Sequence, residues 1–112
     1  MHGGIAQGIG QALLEHIVYD PNDGQLLSGS FMDYAMPRAS DFCDIKSEFC
    51  CVPSTTNPLG VKGVGESGTI GSPPAVMNAI LDALRPLGIN HLDMPATSQR
   101  VWTAIHNASL DE

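Results

Sequence analysis

The segment Gly63-Val64-Gly65-Glu66-Ser67-Gly68 constrains the fold of this chain more than any other, because it sets a carboxylate among glycines and runs on into Ser72-Pro73-Pro74. Glycine opens backbone conformations and close approaches denied to other residues. A glutamate held there is aimed by the main chain rather than by a flexible stem. Ser72 is a favourable helix N-cap and Pro73 a favourable first helical residue, since a missing N–H is no loss in the unpaired first turn. The spacing predicts a helix from Ser72 to about Leu84, with Val76, Ile80, Ala83 and Leu84 as its buried stripe and Pro86 and Gly88 ending it. Its start points back toward Glu66, and the partial positive charge of a helix N-terminus favours an anionic ligand there. The segment reads as an active-site loop.

Two phosphate-binding motifs overlap the loop and fail. As a P-loop, the spacing of Gly63 and Gly68 is right, but Thr69 stands where the lysine belongs and Ile70 where the magnesium-binding hydroxyl belongs. As a dinucleotide fingerprint, Gly63, Gly65 and Gly68 match, yet the preceding Ser54 to Lys62 is a Pro/Asn/Gly-rich loop and not an apolar strand.

Elsewhere, Ile5, Ile9, Leu13 and Ile17 recur every four residues with Ala6 and Leu14 beside them, which predicts a helix over residues 3 to 18. Gly3, Gly4, Gly8 and Gly10 each cost about 1 kcal/mol in an exposed helix interior, so they fit only where the backbone meets a close partner. Asp20-Pro21-Asn22-Asp23-Gly24 is a turn. Residues 25 to 31 read as extended and 33 to 41 as irregular around Pro37. Residues 45 to 52 read as a strand with Ile45, Ser47, Phe49 and Cys51 on one face, and 89 to 92 as a short strand. Thr97 caps a last helix whose apolar face carries Val101, Trp102 and Ile105, with Trp102 a packing residue. The expectation is one α+β domain over residues 1 to 112, with about three helices and a small sheet.

Twelve acidic residues against five basic ones give a formal charge of −7 over 112 residues. That charge repels a phosphate backbone and an anionic membrane surface, so neither nucleic acid nor membrane is expected as a partner. No apolar run reaches the 18 or more residues of a membrane helix and no signal-peptide pattern is present, which together predict a cytoplasmic protein. Cys43, Cys50 and Cys51 form no CxxC pair and read as reduced thiols. His2, His16, His91 and His106 stand singly, so no metal-ligand set is assigned to the chain.

Asn57-Pro58-Leu59-Gly60-Val61-Lys62-Gly63-Val64-Gly65-Glu66-Ser67-Gly68, followed by Gly71-Ser72-Pro73-Pro74-Ala75-Val76, resembles the C-terminal end of the large subunit of the molybdenum hydroxylases. This is the xanthine oxidase, aldehyde oxidase and carbon monoxide dehydrogenase family, and the carbon monoxide dehydrogenase-like branch is the most similar. The resemblance extends to Gly3 to Glu15, to Ser30-Phe31-Met32-Asp33-Tyr34-Ala35-Met36-Pro37-Arg38-Ala39, and to Leu92-Asp93-Met94-Pro95-Ala96-Thr97 with Arg100-Val101-Trp102.

The resemblance implies an oxidoreductase of dehydrogenase type in which Glu66 is the base that takes a proton from a water-derived hydroxide. It implies molybdopterin with molybdenum, in the cytosine dinucleotide form, contacted by Gln7, Val64 and Gly65. The metal is held by the dithiolene of the cofactor, so no protein ligand cluster is required, and none of the cysteines sits in a copper-binding motif. The family subunit is several times longer. The chain therefore reads as a fragment, a separately encoded piece or a truncated product, forming part of a larger molybdopterin-binding domain and inactive alone. Its implied partners are the remainder of the large subunit and iron–sulfur and flavin subunits, with self-association in isolation because uncovered apolar faces attract one another. A non-catalytic remnant or assembly module that binds no cofactor is the alternative.

Overall fold

The computed structural model describes residues 1–110 and holds three helices: α1, His2–Leu13; α2, Ser67–Leu84; and α3, Ser98–Ala108. Helices α1 and α2 pack against each other through glycine. A Cβ on Gly68 would lie 2.8 Å from the Ile5 nitrogen and 2.9 Å from the Met1 carbonyl, and one on Gly4 would lie 3.2 Å from the Thr69 nitrogen. A Cβ on Gly8 would run into Ser72 Oγ, with Pro73 Cδ 2.7 Å away. The glycines that weaken α1 as an isolated helix are what let its backbone reach α2.

Helix α2 begins at Ser67, not at Ser72, and takes Pro73 and Pro74 into its interior. Those prolines cannot donate to the Thr69 and Ile70 carbonyls, a defect that ordinarily ends or kinks a helix. Here hydroxyls on the same turn tie the helix to α1. Ser72, expected as a cap, is buried, and its Oγ lies 2.8 Å from the Gly68 carbonyl and 3.2 Å from the Ile5 carbonyl on α1. Thr69 Oγ1 donates to the Gly4 carbonyl at 3.1 Å. At the far end the expected stop holds: a 3-10 turn over Arg85–Leu87 leads to Gly88 in the left-handed region at φ 75°.

Helix α1 ends at Leu13, five residues short of the expected span. The Ala12 carbonyl, which the next turn would need, accepts instead from the Ala96 N–H at 2.6 Å, and the Gly10 carbonyl takes both Leu14 and Glu15 N–H groups. A tertiary contact thus removes the acceptor on which continuation depends. Ile17, placed by periodicity on the buried face, is 56% exposed.

The small sheet is corrected: the described residues contain no strand ladder. Residues 25–31, 45–52 and 89–92 form no strands, and a single antiparallel bridge, Tyr19 with Leu26, closes the Asp20–Gly24 turn. Extended backbone becomes sheet only when a second segment supplies its hydrogen bonds, and nothing among the described residues pairs with 45–52. Thr97 does cap α3, accepting from the Arg100 N–H at 3.3 Å. Trp102, expected to pack, is exposed and stacks on His106 with ring centroids 5.0 Å apart.

The core is small. Ala12, Met77 and Ala96 form its centre, with Leu13, Val76, Ile80, Leu92 and Val101 packed around them. The radius of gyration is 18.3 Å, where a compact domain of this length has about 13 Å. The accessible surface is 8597 Å², against about 5,900 Å² for a compact monomer of this mass. Phe31, Met32, Phe49, Leu59 and Val61 lie open to solvent.

Candidate functional site

The glycine loop is delivered by a tied turn. Gly60 adopts φ +66°, the Ser54 N–H donates to its carbonyl at 2.9 Å, and the Asn57 carboxamide brackets Val61 by accepting from its N–H and donating to its carbonyl. At the other end, Ser67 Oγ donates to the Val64 carbonyl at 2.7 Å and turns the chain into α2. Between these anchors, the N–H groups of residues 62 to 66 find no acceptor among the described residues. A Cβ added at Gly63 or Gly65 would meet nothing within 4 Å, so the loop presents a bare face of backbone donors.

Glu66 is the residue immediately before α2, with φ −89° and ψ −14°. Its carbonyl accepts the Ile70 N–H at 2.9 Å, which fixes its backbone as the first step of the helix. Its side chain is exposed and has no hydrogen-bond or ion-pair partner among the described residues. The helix N-terminus therefore lies directly beside the carboxylate, closer than the expected start at Ser72 would have put it.

Gln7 stands on α1 and lines a cavity of about 360 Å³ together with Gly3, Ala6, Tyr34 and Thr69. Thr69 belongs to the first turn of α2, three residues after Glu66, so the Gly4–Gly68 contact brings the Gln7 face and the start of α2 to one place. Val64 instead lines a separate hollow of about 600 Å³ with Lys62, Gly63, Cys50 and Cys51. The four predicted site residues thus share one end of the helix pair without enclosing a single cavity. Cys43, Cys50 and Cys51 are free and exposed.

Sequence reasoning missed four polar residues of the Gln7 cavity, Gln11, Glu15, Tyr34 and Thr69. Thr69 entered it only as a failed P-loop lysine, although a hydroxyl one turn into a helix can tie that helix to a neighbour. Glu15 and Tyr34 were passed over, yet Tyr34 Oη donates to Glu15 Oε1 at 3.2 Å. Partial burial, then this bond and the adjoining negative charge, raise the Tyr34 phenol above its ordinary range. The available signal was spacing: Glu15 follows Gln7 and Gln11 at intervals of four. Among the described residues, no helix is long and apolar enough to cross a membrane.

Residues 1–43 match the family model described as the molybdopterin cofactor-binding domain. The chain is 38% identical to the carbon monoxide dehydrogenase large chain of Hydrogenophaga pseudoflava, covering 98% of this chain and 14% of that one. It is 43% identical to the nicotine 6-hydroxylase large subunit of Paenarthrobacter nicotinovorans, over 93% of this chain and 13% of that one. The solved quinoline 2-oxidoreductase of Pseudomonas putida 86 superposes with a TM-score of 0.86 at 43% identity, over 93% of this chain and 13% of that one. The chain spans about one seventh of the length of these relatives. Likeness in sequence and in backbone over almost every residue means that the chain belongs to the molybdenum hydroxylase family, as a segment of its molybdopterin-binding large subunit.

Proposed function

We propose that this chain forms one wall of the active site of a molybdenum hydroxylase, with Glu66 as the base and Gln7, Val64 and Gly65 as cofactor contacts. The observation that carries the reading is the glycine seam, which sets the Gln7 cavity beside the first turn of α2 and hence beside the loop. The residues suit molybdopterin. A pterin ring and its phosphate need hydrogen-bond donors that can be closely approached, and the unpartnered N–H groups of residues 62 to 66, the bare Gly63 and Gly65, and the Gln7 carboxamide supply them.

When bound, molybdopterin with molybdenum, in the cytosine dinucleotide form, supplies the two-electron redox chemistry that hydroxylates an electron-poor carbon with oxygen from water. The Glu66 carboxylate accepts the proton of the water-derived nucleophile, and its place on the first step of α2 fixes the backbone from which it reaches. Val64 and Gly65 contact the cofactor through their backbone, and Gln7 both donates to and accepts from it. Exclusion of water falls to other segments, because Glu66 is exposed on this chain alone.

Residues 1–112 accordingly act as the C-terminal part of a larger domain, in which the exposed apolar side chains are covered. The assembled protein works in the cytoplasm with iron–sulfur and flavin subunits, and the isolated chain self-associates. The test is metal and pterin analysis of the complete large subunit, co-expressed with its neighbours, beside the Glu66→Gln variant. Retained molybdenum and pterin, with activity lower by roughly a thousandfold, is the expected result. A wild-type subunit without molybdenum or pterin in every preparation would favour a non-catalytic assembly module.

A further inference from the structure

Gly3, Gln7, Gln11 and Glu15 follow one another at intervals of four, so they form a stripe along one face of α1 that runs past its last turn, and all four line the same cavity of about 360 Å³. Gln7 meets the loop end of this cavity, and Gln11 lies one turn farther along, about 6 Å up the helix axis. Any ligand that touches Gln7 and fills the cavity must pass Gln11. At the end of the stripe, one Glu15 oxygen is already occupied by the Tyr34 hydroxyl at 3.2 Å, and Met36 and Pro37 supply an apolar wall.

The lining excludes one half of the cofactor chemistry. It contains a carboxylate and neither Lys nor Arg, so a phosphate here would meet repulsion with no compensating charge. Two carboxamides and a carboxylate beside an apolar wall suit the edge of a flat, uncharged, amino-bearing heterocycle, since a carboxamide pairs with adjacent donor and acceptor atoms on such a ring. The volume is that of a small-molecule site. Phosphates are better served by the open N–H groups of residues 62 to 66.

We infer that Gln11 is a further ligand-contacting residue, and that the Gln7–Gln11–Glu15 cavity takes an amino-heterocyclic ring of the cofactor and rejects its phosphates. This rests on the reading under Proposed function. The test uses the complete large subunit in its complex and measures pterin and molybdenum retained after extended dialysis, for wild type, Gln11→Leu, Gln11→Lys and the remote control Gln25→Leu. Gln11→Leu is expected to retain pterin roughly threefold to tenfold less well than wild type, the loss of one hydrogen bond. Gln11→Lys is expected to be no better, and Gln25→Leu unchanged, with circular dichroism equal throughout. Wild-type retention in Gln11→Leu overturns the inference, as do improved retention in Gln11→Lys, which would place phosphate in the cavity, and an equal loss in Gln25→Leu. A wild-type subunit devoid of pterin would instead sink the proposed function, so the two failures are distinguishable.

Discussion

The seam between α1 and α2 and the arm over residues 42–66 use glycine to opposite ends. In the seam, Gly8 and Gly68 are pressed against side-chain and backbone atoms with no room for another carbon, and at Gly4 one would fit only tightly. In the arm, Gly63 and Gly65 face open space. The first set makes packing possible and the second leaves a surface clear. The difference shows in the surroundings: the seam is cross-braced by Ser72 and Thr69 hydroxyls, whereas the arm carries exposed Phe49, Val52, Leu59 and Val61 and is tied mainly to itself. One region is closed by contacts within the chain, and the other is left open to solvent.

The comparison breaks first at Gly8. Gly8→Val should destabilise the complete subunit by about 3 kcal/mol, because the added carbons collide with a rigid proline ring as well as with Ser72, and urea denaturation would register the loss. An unchanged midpoint would mean that the seam has slack. Ser72→Ala sharpens the same point on a smaller scale. Removing the hydroxyl that reaches the Ile5 and Gly68 carbonyls should lower stability by about 1 kcal/mol in the same assay. The smallest effect belongs to the arm: Gly63→Ala should shift stability by no more than about 0.5 kcal/mol, since its Cβ meets nothing. A larger shift would show that the arm is packed after all. If Gly63→Ala keeps stability while lowering molybdenum content, the arm glycine is there for the cofactor.

Much of this molecule was legible residue by residue. The turn at Asp20–Gly24, the Thr97 cap and the Gly88 stop appear as expected because each depends on side chains within a few positions. The glycines of α1 announced a close neighbour, though not which one. The start of α2 was misplaced because Ser72-Pro73 is a sound local start signal, and only the packing of Gly68 on Ile5 and Met1 favours helix upstream of it. The strand at 45–52 was misread because alternation reports a preference for extended backbone and not the presence of a pairing partner. Glu15 and Tyr34 were overlooked as a pair because 19 residues separate them and nothing local links a carboxylate to a phenol across that interval.

By itself, then, the amino-acid order determined the family, the glycine loop that carries Glu66, and the ends of those elements whose caps are local. Short-range chemistry is written in neighbouring residues, so it can be read there. Only the tertiary structure decided where α1 stops, where α2 begins, and that Gln7, Gln11, Glu15, Tyr34 and Thr69 share one cavity. Those outcomes turn on contacts between segments tens of residues apart, where the close approach of two glycine-bearing backbones outweighs the local preferences of either.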